Sequence, residues 1–325
     1  MKLVKKVLNK LNGLYYPQEY LCLAKESFQN PIHVYFVSGN KVIKDITSRH
    51  LFAGYSPLIL ALPSFNEIDL SQFESITLSF SQSVLSSNDT LNEKDALARI
   101  SLRKMKNSFA GFGRVYFYEG HQADHRFTNS FHQLISGINN RLYNRKPGNV
   151  FLNDNLYKQV QVAYAVPRII SLITVAQNNL FNLFPTDLHG QVDEDHYIIS
   201  LRHSGKAARQ VEMGKTILLS QMDAAFYKTV YSLGKNHMQE LKEKDKFPFD
   251  AQTSKSFQIP VPNGAVFYKE LELIDSFDHG IHRLFLFKVV NELQSSSHTA
   301  TLAHIHNVYA TWRHNNGLPG NYLLR

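Results

Sequence analysis

The stretch from Asn178 to Val211 constrains this chain more than any other. It runs Asn-Asn-Leu-Phe-Asn-Leu-Phe-Pro-Thr-Asp-Leu-His-Gly and resumes as Tyr-Ile-Ile-Ser-Leu-Arg-His-Ser-Gly-Lys-Ala-Ala-Arg-Gln-Val. The pattern predicts a strand bent at Pro185, a turn, a second apolar strand, and a basic loop entering a helix. In that loop Ser204 is a candidate cap. Gly205 lets a ligand approach the backbone, and Lys206 and Arg209 stand three apart on the helix. Arg202 sits at the strand end, able to close over an anion. A helix N-terminus with added cations is suited to phosphate. The same residues also suit a capped surface helix with its cations in water. Upstream, Asn182, Thr186 and Asp187 interrupt the apolar run beside Phe184, so this edge can meet a planar heterocycle or be a strand ending in a turn.

The rest of the chain limits the classes available. At 325 residues it is long enough for two domains at about 100–200 residues each. Hydrophobic residues make up 43%, which permits ordinary buried cores. The net charge of +8 favours anionic ligands, but Lys and Arg are spread along the chain rather than gathered as nucleic-acid binding requires. Local runs at Lys2-Lys5-Lys6 and Arg141-Arg145-Lys146 read as solvated surface. The lone Cys22 excludes an internal disulfide and reads as a small core residue. No apolar run reaches the roughly 18–20 residues of a membrane span, and no signal peptide is evident. A cytoplasmic protein is expected.

The first half reads as α+β. Ile32–Val37, Pro57–Leu62, Ile76–Phe80 and Gly113–Tyr118 are β-rich runs. Thr90-Leu91-Asn92-Glu93 has the form of a capping box opening a helix toward Met105. Phe127, Phe131, Leu134, Ile135, Ile138 and Leu142 form one helical stripe. Arg145-Lys146-Pro147-Gly148-Asn149 breaks that helix and marks a boundary between an N-terminal domain, 1–148, and a C-terminal domain, 149–325. The second half reads as strands over Tyr157–Tyr164, Ile169–Ala176, His196–Leu201, Thr216–Met222, Ala265–Ile274, Arg283–Val290 and Thr301–Tyr309. Helices are predicted over Lys206–Met213 and Ala224–His237, and a surface loop over Leu241–Phe257. Many strands with few helices suggest a closed or split barrel. No internal repeat is visible.

Asn-Leu-Phe-Pro-Thr-Asp, the Ser-Leu-Arg-His-Ser-Gly-Lys-Ala-Ala-Arg loop and Thr216–Ser220 together resemble the flavin reductase-like, FMN-binding split-barrel family. So does Gly280-Ile281-His282-Arg283-Leu284-Phe285 further on, and the resemblance spans Tyr157 to Trp312. It implies that Asn182, Phe184, Pro185, Thr186 and Asp187 border a flavin. Arg202, Ser204, Gly205, Lys206 and Arg209 would hold the FMN phosphate, and His282 would lie nearest the chemistry. It further implies NADH or NADPH as co-substrate and a homodimer with the flavin at the subunit interface, reached by Tyr309 and Trp312 of the partner. Three positions depart from the family: Ile281 and Phe287 replace its Asp and Gly, and Ser220 its third-strand Asn. Ser220 loosens one expected flavin contact, whereas Ile281 and Phe287 put nicotinamide binding and hydride transfer in question and motivate a second reading, a flavin-binding or structural module without turnover.

Other constellations carry less. His304-Ile305-His306 puts two imidazoles on one strand face without an identifiable third ligand, so a structural pair is favoured and no metal is expected. Asp278-His279 and His121 with Asp124-His125 fit chance adjacency among 15 histidines. No Gly-x-Ser-x-Gly or Gly-x-x-x-x-Gly-Lys occurs, so nucleophilic hydrolysis has no support. The reading is thus an α+β N-terminal domain followed by an FMN-binding split β-barrel, mainly β overall.

Overall fold

Alternation of apolar and polar residues organises most of this chain into antiparallel strands. The computed structural model describes residues 20–24, 32–143, 150, 152–294 and 300–318. After β1 (Tyr20–Ala24), the N-terminal half forms β2 (His33–Ser38), β3 (Lys41–Asp45), β4 (Leu51–Tyr55), β5 (Leu58–Pro63), β6 (Ser75–Ser81), β7 (Ala96–Lys104) and β8 (Val115–His125). These seven make one sheet in the order β3-β2-β6-β7-β8-β5-β4. Two helices, α1 (Ser130–Tyr143) and α2 (Asp154–Ala163), follow.

The C-terminal half begins with β9 (Arg168–Ile169), β10 (Ser171–Gln177), β11 (Leu180–Thr186), β12 (His189–Gln191) and β13 (His196–Arg202). Helix α3 (Lys206–Gly214), β14 (Thr216–Met222), α4 (Tyr227–Ser232), β15 (Phe249–Thr253) and β16 (Pro260–Pro262) come next. The chain continues through β17 (Ala265–His279), β18 (His282–Gln294), β19 (Thr301–Ile305) and α5 (Asn307–Asn315). Its seven-stranded sheet has the order β11-β10-β14-β17-β18-β13-β12. β1, β19 and β9 form a third sheet.

The two large sheets have the same topology. Replacing β2 to β6 by β10 to β14, β7 by β17 and β8 by β18 turns the first strand order into the second. Both sheets shift register at the corresponding point, between Phe80 and Ser81 in β6 and between Gln221 and Met222 in β14. The chain therefore does contain a repeat. It escaped the sequence because backbone pairing, not residue identity, is what the halves share.

Five sequence expectations change, one being the surface loop expected over Leu241–Phe257, which contains strand β15 paired with β16. The segment expected as a helix from Thr90 toward Met105 is a turn followed by strand β7, because Ala96, Ala98, Ile100 and Leu102 are buried at every second position. Tyr157–Tyr164 lies in α2, where Val160 and Ala163 turn inward at helical spacing. The strand expected to reach Tyr309 ends at Ile305, and α5 follows. In α1 the stripe formed by Phe131, Leu134 and Ile138 is exposed. The buried face instead carries Ser136 and Asn140, bonded to Tyr157 Oη at 2.9 Å and to the Leu152 carbonyl at 2.8 Å. The boundary placed at 145–149, like Lys2, Lys5 and Lys6, lies outside the described residues.

The cores show how the halves join. One cluster unites Phe36, Leu60, Phe80 and Tyr118 with Val160, Ala163, Tyr309 and Trp312. It takes residues from both sides of position 148, so Tyr309 and Trp312 are core residues and not reaching arms. A second cluster fills the C-terminal sheet beneath α3, through Ala207, Ala208 and Val211. A third lies between the sheets, joining Ala61, Val115 and Phe117 to Ile198, Leu284 and Leu286.

Candidate functional site

Edge strand β11 carries Pro185, which an edge tolerates because its missing N–H removes no ladder bond there. Where β11 ends, the chain turns through Asp187 and Leu188 into β12, opposite the end of β13 and the start of α3. A cavity of 360 Å³ opens between these pieces. Pro185, Thr186 and Asp187 line one side, Arg202, Gly205 and Ala207 the other, and His282 the floor with Ser200.

Six of the eleven nominated residues thus meet at one place. Asn182 and Phe184 lie behind it, fully buried. Asn182 Nδ2 donates to Gln210 Oε1 of α3 at 2.7 Å and to the Asn236 carbonyl at 3.1 Å, tying the strand to the helix. Ser204, Lys206 and Arg209 are exposed. Lys206 pairs with Glu240 at 2.7 Å. The helix caps on Gly205 with no side-chain bond, so Ser204 is not the cap. A Cβ on Gly205 would stand 3.2 Å from the Arg202 carbonyl and 3.3 Å from that of His237, and glycine permits that close approach. The first amides of α3 have no partner within the helix, and Gly205 and Ala207 at this end line the cavity.

His282 is held on both sides. The Tyr55 amide donates to its Nε2 at 3.3 Å, which leaves the ring proton on Nδ1, 3.1 Å from Ser200 Oγ. Burial, reinforced by the Arg202 charge, pushes its pKa down to about 3, so the ring is neutral. With both nitrogens engaged, it shapes the floor and offers no free proton. Burial also lowers His237, whose Nε2 donates to the Pro185 carbonyl at 2.7 Å. Asp187 bonds His304 at 2.7 Å. Burial opposes its charge, but that bond and the neighbouring positive groups hold the carboxyl well below its usual range. Arg202 Nε donates to Tyr55 Oη, and the guanidinium lies 5.4 Å from the Tyr55 ring centre.

Tyr55 belongs to the N-terminal half and could not have been found from the second half alone. His237 and Met238 also line the site. They come from a short 3-10 helix, Leu233–Met238, whose sequence gave no functional signal. The departures at Phe287 and Ser220 do not reach the cavity: Phe287 is packed in the C-terminal core and Ser220 lies within β14. Ile281 is engaged at the hairpin tip, where its amide bonds Ser56 O at 3.0 Å. His304 is committed to Asp187, and His306 stacks on Tyr164 at 3.8 Å. Among the described residues no group of three or more His, Cys, Asp or Glu is placed to hold a metal. Nor is any helix among them long and apolar enough to cross a membrane. A larger cavity, 640 Å³, lies between the halves around Arg49, Arg168 and Lys269. Of the nominated residues only Asp187 reaches it, so the smaller cavity is the candidate site.

No family model matches the chain, and no curated protein matches it. It is similar to solved flavin reductases and FMN-binding proteins over less than half its length. An FMN-binding protein from Thermus thermophilus with bound p-hydroxybenzaldehyde is 18% identical, covering 43% of this chain and 86% of that one, with a TM-score of 0.38. The flavin reductase PheA2 is 13% identical over 47% of this chain and 94% of its own, TM-score 0.38. An NADH:FAD oxidoreductase of Streptomyces globisporus is 16% identical over 49% and 94%, TM-score 0.41. All three scores lie below 0.5, so the reading of the site rests on its own residues.

Proposed function

We propose that this protein is an FMN-binding flavoprotein of the flavin reductase type, with a split-barrel C-terminal half, oxidising NADH or NADPH. The observation that carries this reading is convergence: Pro185–Asp187, Arg202 with Gly205, and His282 come from three segments and line one cavity. The donor set fits a flavin. Arg202 and the amides at the start of α3 suit a phosphate. Pro185, Leu188, Leu201 and Met238 give apolar walls for a ring system, and 360 Å³ lies within the usual range for small-molecule sites. When bound, the flavin supplies the redox chemistry, accepting hydride from the nicotinamide. The chain binds the phosphate, orients the ring and excludes water. His282 sets the floor through its bonds to Tyr55 and Ser200. A cytoplasmic setting belongs to the same proposal. The place where a homodimer would hold its flavin lies, in this chain, between its own two halves.

Titrating the purified protein into FMN and following flavin fluorescence and the visible spectrum tests the proposal. Saturable quenching with a shifted absorption band is expected, followed by steady NADH or NADPH oxidation. An unchanged spectrum would remove the flavin reading. Binding without turnover would establish the second reading, a non-catalytic flavin module, which the full engagement of both His282 nitrogens favours.

A further inference from the structure

We propose that the N-terminal half is a built-in second member of a fused pair. It completes one ligand site per chain through Tyr55, while the reciprocal site has been closed by apolar residues. The fused pair stands on topology and contacts alone; the identity of the ligand rests on the flavin reading above.

In a symmetric pair every contact occurs twice, with roles exchanged. This chain has that reciprocity. The β17–β18 turn rests on the β4–β5 turn, with the Ile281 amide bonded to Ser56 O at 3.0 Å. The β7–β8 loop rests on the β12–β13 turn, through Arg114–Asp193 at 3.2 Å and the Phe112 and His196 rings 4.8 Å apart. These are corresponding turns in the two sheets. β4 and β12 correspond as well, and Gly190 of β12 packs against Leu51 of β4.

The register then identifies what stands at the reciprocal site. β13 and β18 end on the pair Arg202 and His282, followed by a bond from the His203 amide to Ile281 O at 3.1 Å. β5 and β8 end on Pro63 and Val115, followed by the same bond from the Ser64 amide to Arg114 O at 2.9 Å. Arg202 therefore corresponds to Pro63, His282 to Val115 and, two residues back, Ser200 to Ala61. The cation, imidazole and hydroxyl of the C-terminal site are all replaced by apolar groups. Ala61 and Val115 are buried in the cluster between the sheets. Phe109, from the long β7–β8 loop, fills the same cluster, with ring centres 5.5 Å from Phe117 and 5.0 Å from Phe277. The opposite turn, β17–β18, is tight and leaves the other cavity open, walled by Tyr55 over Arg202. Duplication has left one site open and turned its twin into packing.

Complementation between variants tests this. Tyr55→Ala and Arg202→Ala should each weaken FMN binding about tenfold or more. A mixture of the two should remain as weak, because both residues act in one chain. Wild-type protein should bind one FMN per chain. Recovery of tight sites on mixing, two FMN per chain, or full affinity in Tyr55→Ala would each overturn the proposal. A ligand-free arm separates it from the flavin reading: the double variant Ser56→Cys with Ile281→Cys, oxidised and run without reductant. A cross-link within the monomer supports the fused pair even if FMN proves not to bind. A cross-linked dimer, or no cross-link, counts against it.

Discussion

Arg202 is the residue on which the site's electrostatics turn. It alone among the nominated cations lines the cavity, while Lys206 and Arg209 lie exposed at the helix start. Arg202→Ala should therefore weaken FMN binding by about 1–3 kcal/mol, the worth of charge-assisted hydrogen bonds. Lys206→Ala combined with Arg209→Ala should cost less than about 1 kcal/mol, because neither lines the cavity, both are screened by solvent, and Lys206 already pairs with Glu240. Fluorescence titration of both variants checks the order, and a larger loss in the double variant would move the phosphate to the helix face. The histidines make a separate prediction. Burial pushes His50 and His189 down to about 4 and His282 to about 3, from an ordinary value near 6.5. Below that ordinary value the unfolded chain binds protons that the fold refuses, so stability falls with pH. The slope is about 1.4 kcal/mol per pH unit for each histidine, until its folded pKa is reached. Asp187, held low, adds its own loss only below the ordinary Asp range of about 4. Melting temperatures recorded from neutral pH down to about 4 should decline steadily. A flat profile would mean these rings are solvated.

Single elements explain which parts of the fold the sequence disclosed. Thr216–Met222 was legible to the residue because an apolar run bounded by Lys215 and Asp223 has one reading. β7 was not: Thr90–Glu93 has the composition of a capping box, and only the sheet partners β6 and β8 on either side decide that Ala96–Lys104 is extended. α2 failed in the opposite direction, since its β-branched residues suit a strand until the helix packs on β8 and Val160 is buried. At the site, the residues near Pro185 and Gly205 were legible because turns and helix starts carry local chemistry. Tyr55 was not, because its role depends on one hairpin meeting another. The turn at Gly280 fixes that meeting. A Cβ there would stand 2.2 Å from Pro57 Cδ and 2.3 Å from Ser56 O, at a φ of +57°. Gly280→Ala should destabilise the protein by more than the roughly 1–3 kcal/mol that left-handed backbone alone costs. Gly39→Ala is the control, with φ +58° and nothing within 4 Å of its Cβ. Urea denaturation of the two variants should separate them, and equal losses would show that the hairpin contact yields without cost.

At the scale of the whole molecule, the division at 148 separates the two large sheets but not the cores, and the third sheet crosses it where β1 pairs with β19. Val160, Val162, Ala163, Tyr164, Val308 and Tyr309 lie beyond that point, yet pack in one cluster with residues of β2, β5, β6 and β8. A fragment of residues 149–325 would keep its own seven-stranded sheet and the cluster under α3. It would expose the apolar faces of α2 and α5 and lose the wall supplied by Tyr55. Net stabilities of about 5–15 kcal/mol do not survive the loss of a major core, so the fragment should lack cooperative unfolding. The chain carries its own reporter, since Trp312 is the single tryptophan and is 3% exposed. Its indole meets the Phe127 ring edge-on at 5.8 Å, a contact that crosses position 148. In the full chain its emission should be blue-shifted and should change in one step with urea. In the fragment it should be red-shifted from the start, with no transition and no quenching of FMN. A fragment that unfolds cooperatively, keeps blue emission and binds FMN would show that the C-terminal sheet stands by itself. The N-terminal half would then be an attachment and not the other side of the site.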